Sequence, residues 1–295
     1  MEGNPSVTGG VMEERICMVT GANSGIGKET AAALARMGAT VVMVCRSRER
    51  GQAALNEIAA GAGNGRVELM TADLASPGSV RELVRAYCER HDRLHVLINN
   101  AGVINGRQER TEEGIDRTMA VNHLGPFLLT HLLRDVIVAS APARIINVSS
   151  EAHRRRVRPD DLLLEKDIRQ RSYWAVSYAT SKLANLLFTY ELARRLEGSG
   201  VAVNALHPGW ARSSMGRSKD SWPARFFCAL SNLWAKCCID AAATSVYLAS
   251  SPEGGRVTGR YFIDSREARS SRLSYDRDLQ KRLWEGSERL LHLAA

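Results

Sequence analysis

The sequence predicts one α/β domain, a doubly wound parallel sheet with helices on both faces. Three observations predict it. Apolar strand-like runs at 15–20, 40–45, 66–71, 94–99, 143–149, 201–206 and 259–263 alternate with helical segments, the pattern of parallel strands joined by crossovers. A glycine-rich turn links the first strand to the first helix. Gly25, Arg46, Asp73, Asn100, Ser150 and Pro208 fall at or just after strand ends. Right-handed crossovers bring those ends to one edge of the sheet, where ligands sit. The 295 residues suit a single α/β domain with a substantial core.

The first strand, Arg15 to Thr20, runs into Gly21-Ala22-Asn23-Ser24-Gly25-Ile26-Gly27, and a helical run follows from Lys28 to Met37, ending at Gly38. Strand, glycine turn and helix form the context that a dinucleotide motif requires. Gly21 permits the tight turn, Gly25 admits a pyrophosphate to the backbone, and Gly27 allows close helix–strand packing. Free N–H groups at the helix start then face the anion. The spacing is Gly-x-x-x-Gly-x-Gly, distinct from the commoner Gly-x-Gly-x-x-Gly.

The second strand, Thr40 to Cys45, is expected to end over the adenosine ribose. A site for NAD places an acid there, whereas this chain has Cys45-Arg46-Ser47-Arg48. A guanidinium suits a 2′-phosphate through paired, charge-assisted bonds. At about 1.5–3 kcal/mol each, two such bonds imply a roughly hundred-fold or greater preference for NADPH. Arg46 is the expected phosphate ligand; Arg48 either joins it or simply opens the next helix.

Tyr178 and Lys182 stand four residues apart on a helical segment and share a face. An ammonium about 4 Å from a phenol favours the phenolate by roughly 4 kcal/mol at an effective dielectric near 20. That would bring the phenol pKa to roughly 7, poised for proton transfer with a substrate oxygen. Alone, such a pair is more often a solvated helix face; its company gives it meaning.

Taken with Thr20 to Gly27, Cys45-Arg46-Ser47, Ala72-Asp73-Leu74, Asn99-Asn100-Ala101-Gly102, Val121-Asn122-His123, Asn147-Val148-Ser149-Ser150 and His207-Pro208-Gly209, the chain resembles the short-chain dehydrogenase/reductase family. More narrowly, it is similar to the retinol dehydrogenase-like, NADP-preferring branch. The motifs occur in the family's order over residues 15 to about 264. The resemblance implies a Rossmann-like fold and a catalytic tetrad of Tyr178, Lys182, Ser150 and Asn122. Tyr178 would be the acid/base, Lys182 would tune it and bond the nicotinamide ribose, and Ser150 would hold the substrate oxygen. Asn122 would support a water-mediated proton path.

The resemblance further implies cofactor contacts from Gly21, Asn23, Ser24, Gly25, Ile26 and Gly27 on the turn, and from Asp73 and Leu74 near the adenine. Asn100, Ala101 and Gly102 would form the cofactor floor; Pro208, Gly209 and Ser213 would line the nicotinamide. Ser213 stands where the family usually has Thr. Strand alternation points Ser149 and Ser150 to opposite sides, and alignment favours Ser150. The residues alone leave simpler roles open: Asn122 and Asn147 satisfying buried backbone, and Asp73 capping a turn.

Outside the motifs, residues 1–12, with Gly3, Pro5, Gly9 and Gly10, read as a disordered arm ahead of a single domain over 13–295. Residues 210–238, carrying Phe226, Leu230, Leu233 and Trp234 at helical spacing, read as a lid over an apolar substrate. The same face would also suit the core or a membrane surface. A helical tail, about 274–293, is expected to pack across the domain or to support a homo-oligomer. The net charge of +8 and the run His153-Arg154-Arg155-Arg156-Val157-Arg158 fit a solvated loop better than an anion site. No stacking platform accompanies the arginines, which argues against nucleic acid. No apolar stretch approaches ~20 residues, and the six cysteines lack metal-ligand spacing. The expected protein is therefore cytoplasmic, metal-free and reduced, acting on a small carbonyl or alcohol with NADP(H). A non-catalytic NADPH sensor or scaffold, or a nucleotide-sugar epimerase or dehydratase, are the rival readings. The intact tetrad argues against the first, and the glycine spacing and lack of a second domain against the other.

Overall fold

The computed structural model describes residues 12–62, 66–209 and 237–293. Its strands are β1 (Ile16–Thr20), β2 (Thr40–Cys45), β3 (Arg66–Thr71), β4 (Val96–Asn99), β5 (Ala143–Val148), β6 (Val201–His207), β7 (Arg260–Ile263) and β8 (Arg266–Ala268). Its helices are α1 (Gly25–Arg36), α2 (Arg48–Ala60), α3 (Pro77–Cys88), α4 (Arg117–Met119), α5 (Gly125–Ala139), α6 (Tyr173–Arg195), α7 (Cys238–Ser250), α8 (Pro252–Arg256) and α9 (Arg277–Leu290). The sheet order is β3-β2-β1-β4-β5-β6-β7-β8, parallel up to β7, with β8 antiparallel at the edge. The order reverses between β1 and β4, which opens a crevice beyond their carboxyl ends.

All seven expected strands lie within two residues of their apolar runs. Central strands of a parallel sheet are covered on both faces, so they read as continuous apolar stretches; β4 and β6 are buried at every residue. β8 escaped notice because Arg266-Glu267-Ala268 is short and polar. It returns on β7 through Asp264 and Ser265, both at positive φ (50° and 60°), the conformation of a tight hairpin turn.

On one face, α1, α2 and α7 pack Ala31, Leu34, Ala35, Ile58 and Leu248 against Val41, Met43 and Ile98. On the other, α3, α5 and α6 bury Val80, Leu83, Phe127, Leu128, Leu187 and Phe188. Every residue of α6 from Ala179 to Ala193 is buried, because α9 covers the outer side of that layer. There Trp284 meets Phe127 edge-on and Phe188 at a tilt, under the Arg195 guanidinium, 4.0 Å from its ring centroid. The expected C-terminal tail thus packs across the domain. Met12, counted with the arm by sequence, is buried and donates its N–H to Met37 O. The rest of the arm, and the lid as far as residue 236, lie outside the described residues.

Asp116 caps α4 by accepting from the N–H of Met119 (3.1 Å), and the Tyr173 hydroxyl at the start of α6 donates to its other oxygen (2.9 Å). A π-helical turn, Ala120–Leu124, connects α4 to α5. At the junction Gly125 lies against the chain after β3, and a Cβ there would overlap the Leu74 carbonyl oxygen. Gly125→Ala should therefore lower the unfolding free energy by about 1–3 kcal/mol. The urea midpoint should fall without a change in slope; an unchanged midpoint would mean that Leu74 moves aside at no cost.

Candidate active site

The turn after β1 is built for close approach. Gly21 and Gly25 hold φ of 68° and 57°, where a side chain is strained. A Cβ on Gly21 would crowd Ala101, and one on Gly27 would overlap Asn100 and the Gly21 carbonyl, whereas Gly25 faces open space. Ser24 stands at the N-cap of α1 with its side chain making no cap bond, so side chains leave the first-turn N–H groups uncovered. Thr20 ties the turn to the end of β4. Its Oγ1 accepts from the N–H groups of Asn100 and Ala101 (both 3.0 Å) and donates to Ile98 O (3.3 Å). The Asn100 amide donates to Thr20 O at 2.7 Å. Sequence reading had not singled out Thr20; a threonine closing a strand carries no local signal of such a hub.

At the end of β2, Arg46 reaches toward Asp73, with Nη1 4.0 Å from Oδ2. Arg117, from α4, approaches the same oxygen at 3.6 Å. Asp73 Oδ1 accepts from the N–H of Ala75 at 2.9 Å, so the turn-capping role left open by the sequence is real. Leu74 is buried beside it. Arg48 opens α2 and is exposed. Arg117 was missed because nothing in an arginine far along the chain announces that the fold returns it to Asp73.

Where β5 meets α6, strand alternation separates the two serines as expected. Ser149 is buried and donates to the Lys182 carbonyl (2.8 Å), while Ser150 is half-buried, its Oγ accepting from Ala152 N–H at 3.3 Å and lying within reach of Tyr178. Lys182 is 2% exposed, and its ammonium donates to Val148 O at 3.0 Å, a carbonyl shared with the Asn185 amide at 3.2 Å. Asn122, in the π turn, accepts from Val103 N–H (2.7 Å) and donates to Val103 O and Ser181 Oγ (both 3.0 Å). Its side chain is thus committed to satisfying buried groups. A Cβ on Gly102 would lie 3.5 Å from both Asn122 Oδ1 and Lys182 Nζ, in ordinary contact with each. Asn147 likewise serves the core, accepting from Asn99 (2.8 Å) and donating to Thr189 (2.9 Å). Pro208 and Gly209 follow β6, Gly209 at φ 81°. Ser213 lies outside the described residues.

The expectation that Lys182 draws the Tyr178 phenol toward neutrality is corrected. The ammonium stands 5.6 Å from the Tyr178 ring centroid and is turned to the Val148 carbonyl. Burial pushes the phenol above its usual value, only partly opposed by the Ser150 hydrogen bond. Burial also brings Lys182 down to about 8. Desolvation disfavours both charged forms.

In the basic run, Arg154 pairs with Glu151 (2.7 Å) and Arg158 with Asp161 (3.4 Å), while Arg155 and Arg156 are exposed.

Residues 15–158 match the family model described as short chain dehydrogenase. Mouse (Mus musculus) retinol dehydrogenase 14 is 42% identical over 292 residues, covering 95% of this chain and 86% of that protein. The chain belongs to the short-chain dehydrogenase/reductase family. Human (Homo sapiens) retinol dehydrogenase 13 is also 42% identical, covering 98% of this chain and 90% of its own length. Among solved structures, the Pseudomonas aeruginosa RhlG/NADP active-site complex is 28% identical with a TM-score of 0.68, over 85% of this chain and 94% of that one. The chain is accordingly an oxidoreductase of a family that uses NAD(P)(H).

Membership corrects the expectation of a cytoplasmic protein. Its retinol dehydrogenase relatives are membrane-associated enzymes. Among the described residues no helix is long and apolar enough to cross a membrane.

The lowered Lys182 has a thermodynamic consequence. Its folded value, about 8, lies below the usual lysine value of 10.5. The charged side chain therefore opposes folding in full below pH 8, by on the order of 3 kcal/mol. That opposition declines through pH 8 and is gone above 10.5. Lys182→Met should raise the unfolding free energy of the nucleotide-free protein at pH 7 by about 1–3 kcal/mol. The gain should shrink as pH rises from 8 to 10.5 in urea titrations; a gain independent of pH would refute a desolvated ammonium.

Proposed function

We propose that the chain is an NADP(H)-dependent reductase of apolar aldehydes or ketones, also able to run the reverse alcohol oxidation. The observation that carries this reading is the meeting of Tyr178, Ser150 and Lys182 at the end of β5, beside a glycine turn able to take a pyrophosphate. The residues fit the cofactor. Gly25 leaves open space at a helix start with uncovered N–H groups, and Arg46, half-free of Asp73 at the end of β2, would hold the 2′-phosphate. When bound, the nicotinamide supplies the hydride.

The chain's own residues do the rest. Ser150 and Tyr178 orient the carbonyl oxygen, and Tyr178 hands its proton to that oxygen as charge develops there. A phenol raised by burial is protonated at neutral pH, the form a reduction needs. Lys182, at about 8, is the stronger acid of the two and can restore that proton. Asn122 acts as a positioning residue, fixing the backbone at Val103 and the hydroxyl of Ser181 beside Lys182. The names of the relatives make a retinoid aldehyde the first substrate to try. Residues 210–236 are proposed as the substrate lid, with Ser213 bonding the nicotinamide carboxamide, and residues 1–11 as an arm outside the catalytic domain.

Tyr178→Phe should lower retinal reduction by about 10²–10⁴-fold and leave NADPH affinity within about threefold, by absorbance assay and binding titration. Retention of most turnover would remove Tyr178 from the chemistry. Arg46→Asp should move the NADPH/NADH ratio of kcat/KM toward NADH by roughly a hundred-fold; an unchanged ratio would sink the 2′-phosphate assignment.

A further inference from the structure

Arg46 faces a difficulty as a phosphate ligand. The Asp73 carboxylate lies 4.0 Å from its guanidinium, and a one-to-one pair of that kind is electrically neutral and offers little to a second anion. The structure holds a second cation on the same oxygen, Arg117 at 3.6 Å. Two guanidinium groups around one carboxylate leave a net positive charge at the mouth of the crevice.

Arg117 is held there by its surroundings. Its backbone N–H donates to Glu109 O at 2.8 Å. The preceding Asp116 is anchored by Met119 N–H and by the buried Tyr173 hydroxyl. Its side chain is 32% exposed against 58% for Arg46, so of the two arginines it is the more confined and Arg46 the freer to meet a ligand.

We infer that Arg117 is a specificity-determining residue for the cofactor: it takes up the charge of Asp73 and so leaves Arg46 available to the 2′-phosphate. The inference rests on the NADP(H) reading above. Arg117 touches neither the reacting atoms nor, on this account, the phosphate; it acts through Asp73. Loss of Arg117 commits Arg46 to Asp73, weakening NADPH and sparing NADH. Because these charges are partly exposed, salt screens the effect.

The test is binding, not turnover. NADPH and NADH are titrated by nucleotide fluorescence against the full chain and its Arg117→Gln, Arg117→Lys and Arg46→Ala variants, at ~50 mM and ~0.5 M salt. The expected result is an NADPH Kd raised about 3- to 10-fold by Arg117→Gln at low salt, with NADH within twofold. The loss shrinks at high salt, and Arg117→Lys restores most of it. Equal weakening of both nucleotides, or of neither, while Arg46→Ala still discriminates, overturns the role of Arg117 and leaves the NADP(H) reading standing. If Arg46→Ala also spares the NADPH preference, the NADP(H) reading fails and the inference with it.

Discussion

The structure turns on a buried ammonium. Lys182 is 2% exposed, and a charge so placed needs a partner that cannot leave. That partner is the carbonyl of Val148, the last residue of β5. The neighbouring Ser149 donates in return to the Lys182 backbone carbonyl, so strand and helix are stitched in both directions over one turn. Asn185 adds a second donor to Val148 O. These bonds set the register of α6 against the strand end, and with the sheet on one side and α9 on the other, fifteen consecutive residues, Ala179 to Ala193, are buried.

The second half of the crevice depends on a neutral counterpart, the Thr20 hydroxyl. It joins the last residue of β1 to the chain leaving β4 through two accepted N–H groups, placing the glycine turn and the Asn100-Ala101-Gly102 floor in fixed relation. The two strands meet at the reversal of sheet order, so Thr20 closes the base of a crevice that topology opens. Charge enters only farther out, where Arg46, Asp73 and Arg117 meet in partial contact with solvent.

How much of this was legible in the sequence follows from what each feature depends on. Strands buried on both faces are dominated by apolar residues, with polar ones such as Asn147 and Asn204 hydrogen-bonded in place, so β1, β2, β4, β5 and β6 could be read directly. Gly21 and Gly27 were legible because contact between backbones tolerates no side chain. The Ser149/Ser150 division followed from the alternation of a strand. Residues whose roles arise only from folding were not legible: Thr20 as a hub, Arg117 beside Asp73, and β8, whose short polar segment is stabilised by its neighbour. The charge state of Tyr178 was misread for a related reason. Helical spacing puts Lys182 on its face, but spacing does not say that a carbonyl from β5 claims the ammonium, nor that both groups lose water. The expectation of a cytoplasmic location rested on the lack of an apolar run, whereas the retinol dehydrogenase relatives are membrane-associated enzymes.

The same desolvation orders the proton transfers of the proposed reaction. On the sequence expectation the phenol titrates at roughly 7, about half ionised at neutral pH and able to give or take a proton. In the folded chain burial raises Tyr178 and brings Lys182 to about 8. A tyrosinate formed by donation to substrate is then a stronger base than the lysine amine, so a proton passing from Lys182 to Tyr178 runs downhill. The lysine in turn sits near enough to neutrality to recover its proton from solvent. Under the proposed function, burial would give the pair a direction, from lysine to tyrosine to substrate, that an exposed pair with its ordinary, nearly equal pKa values would lack.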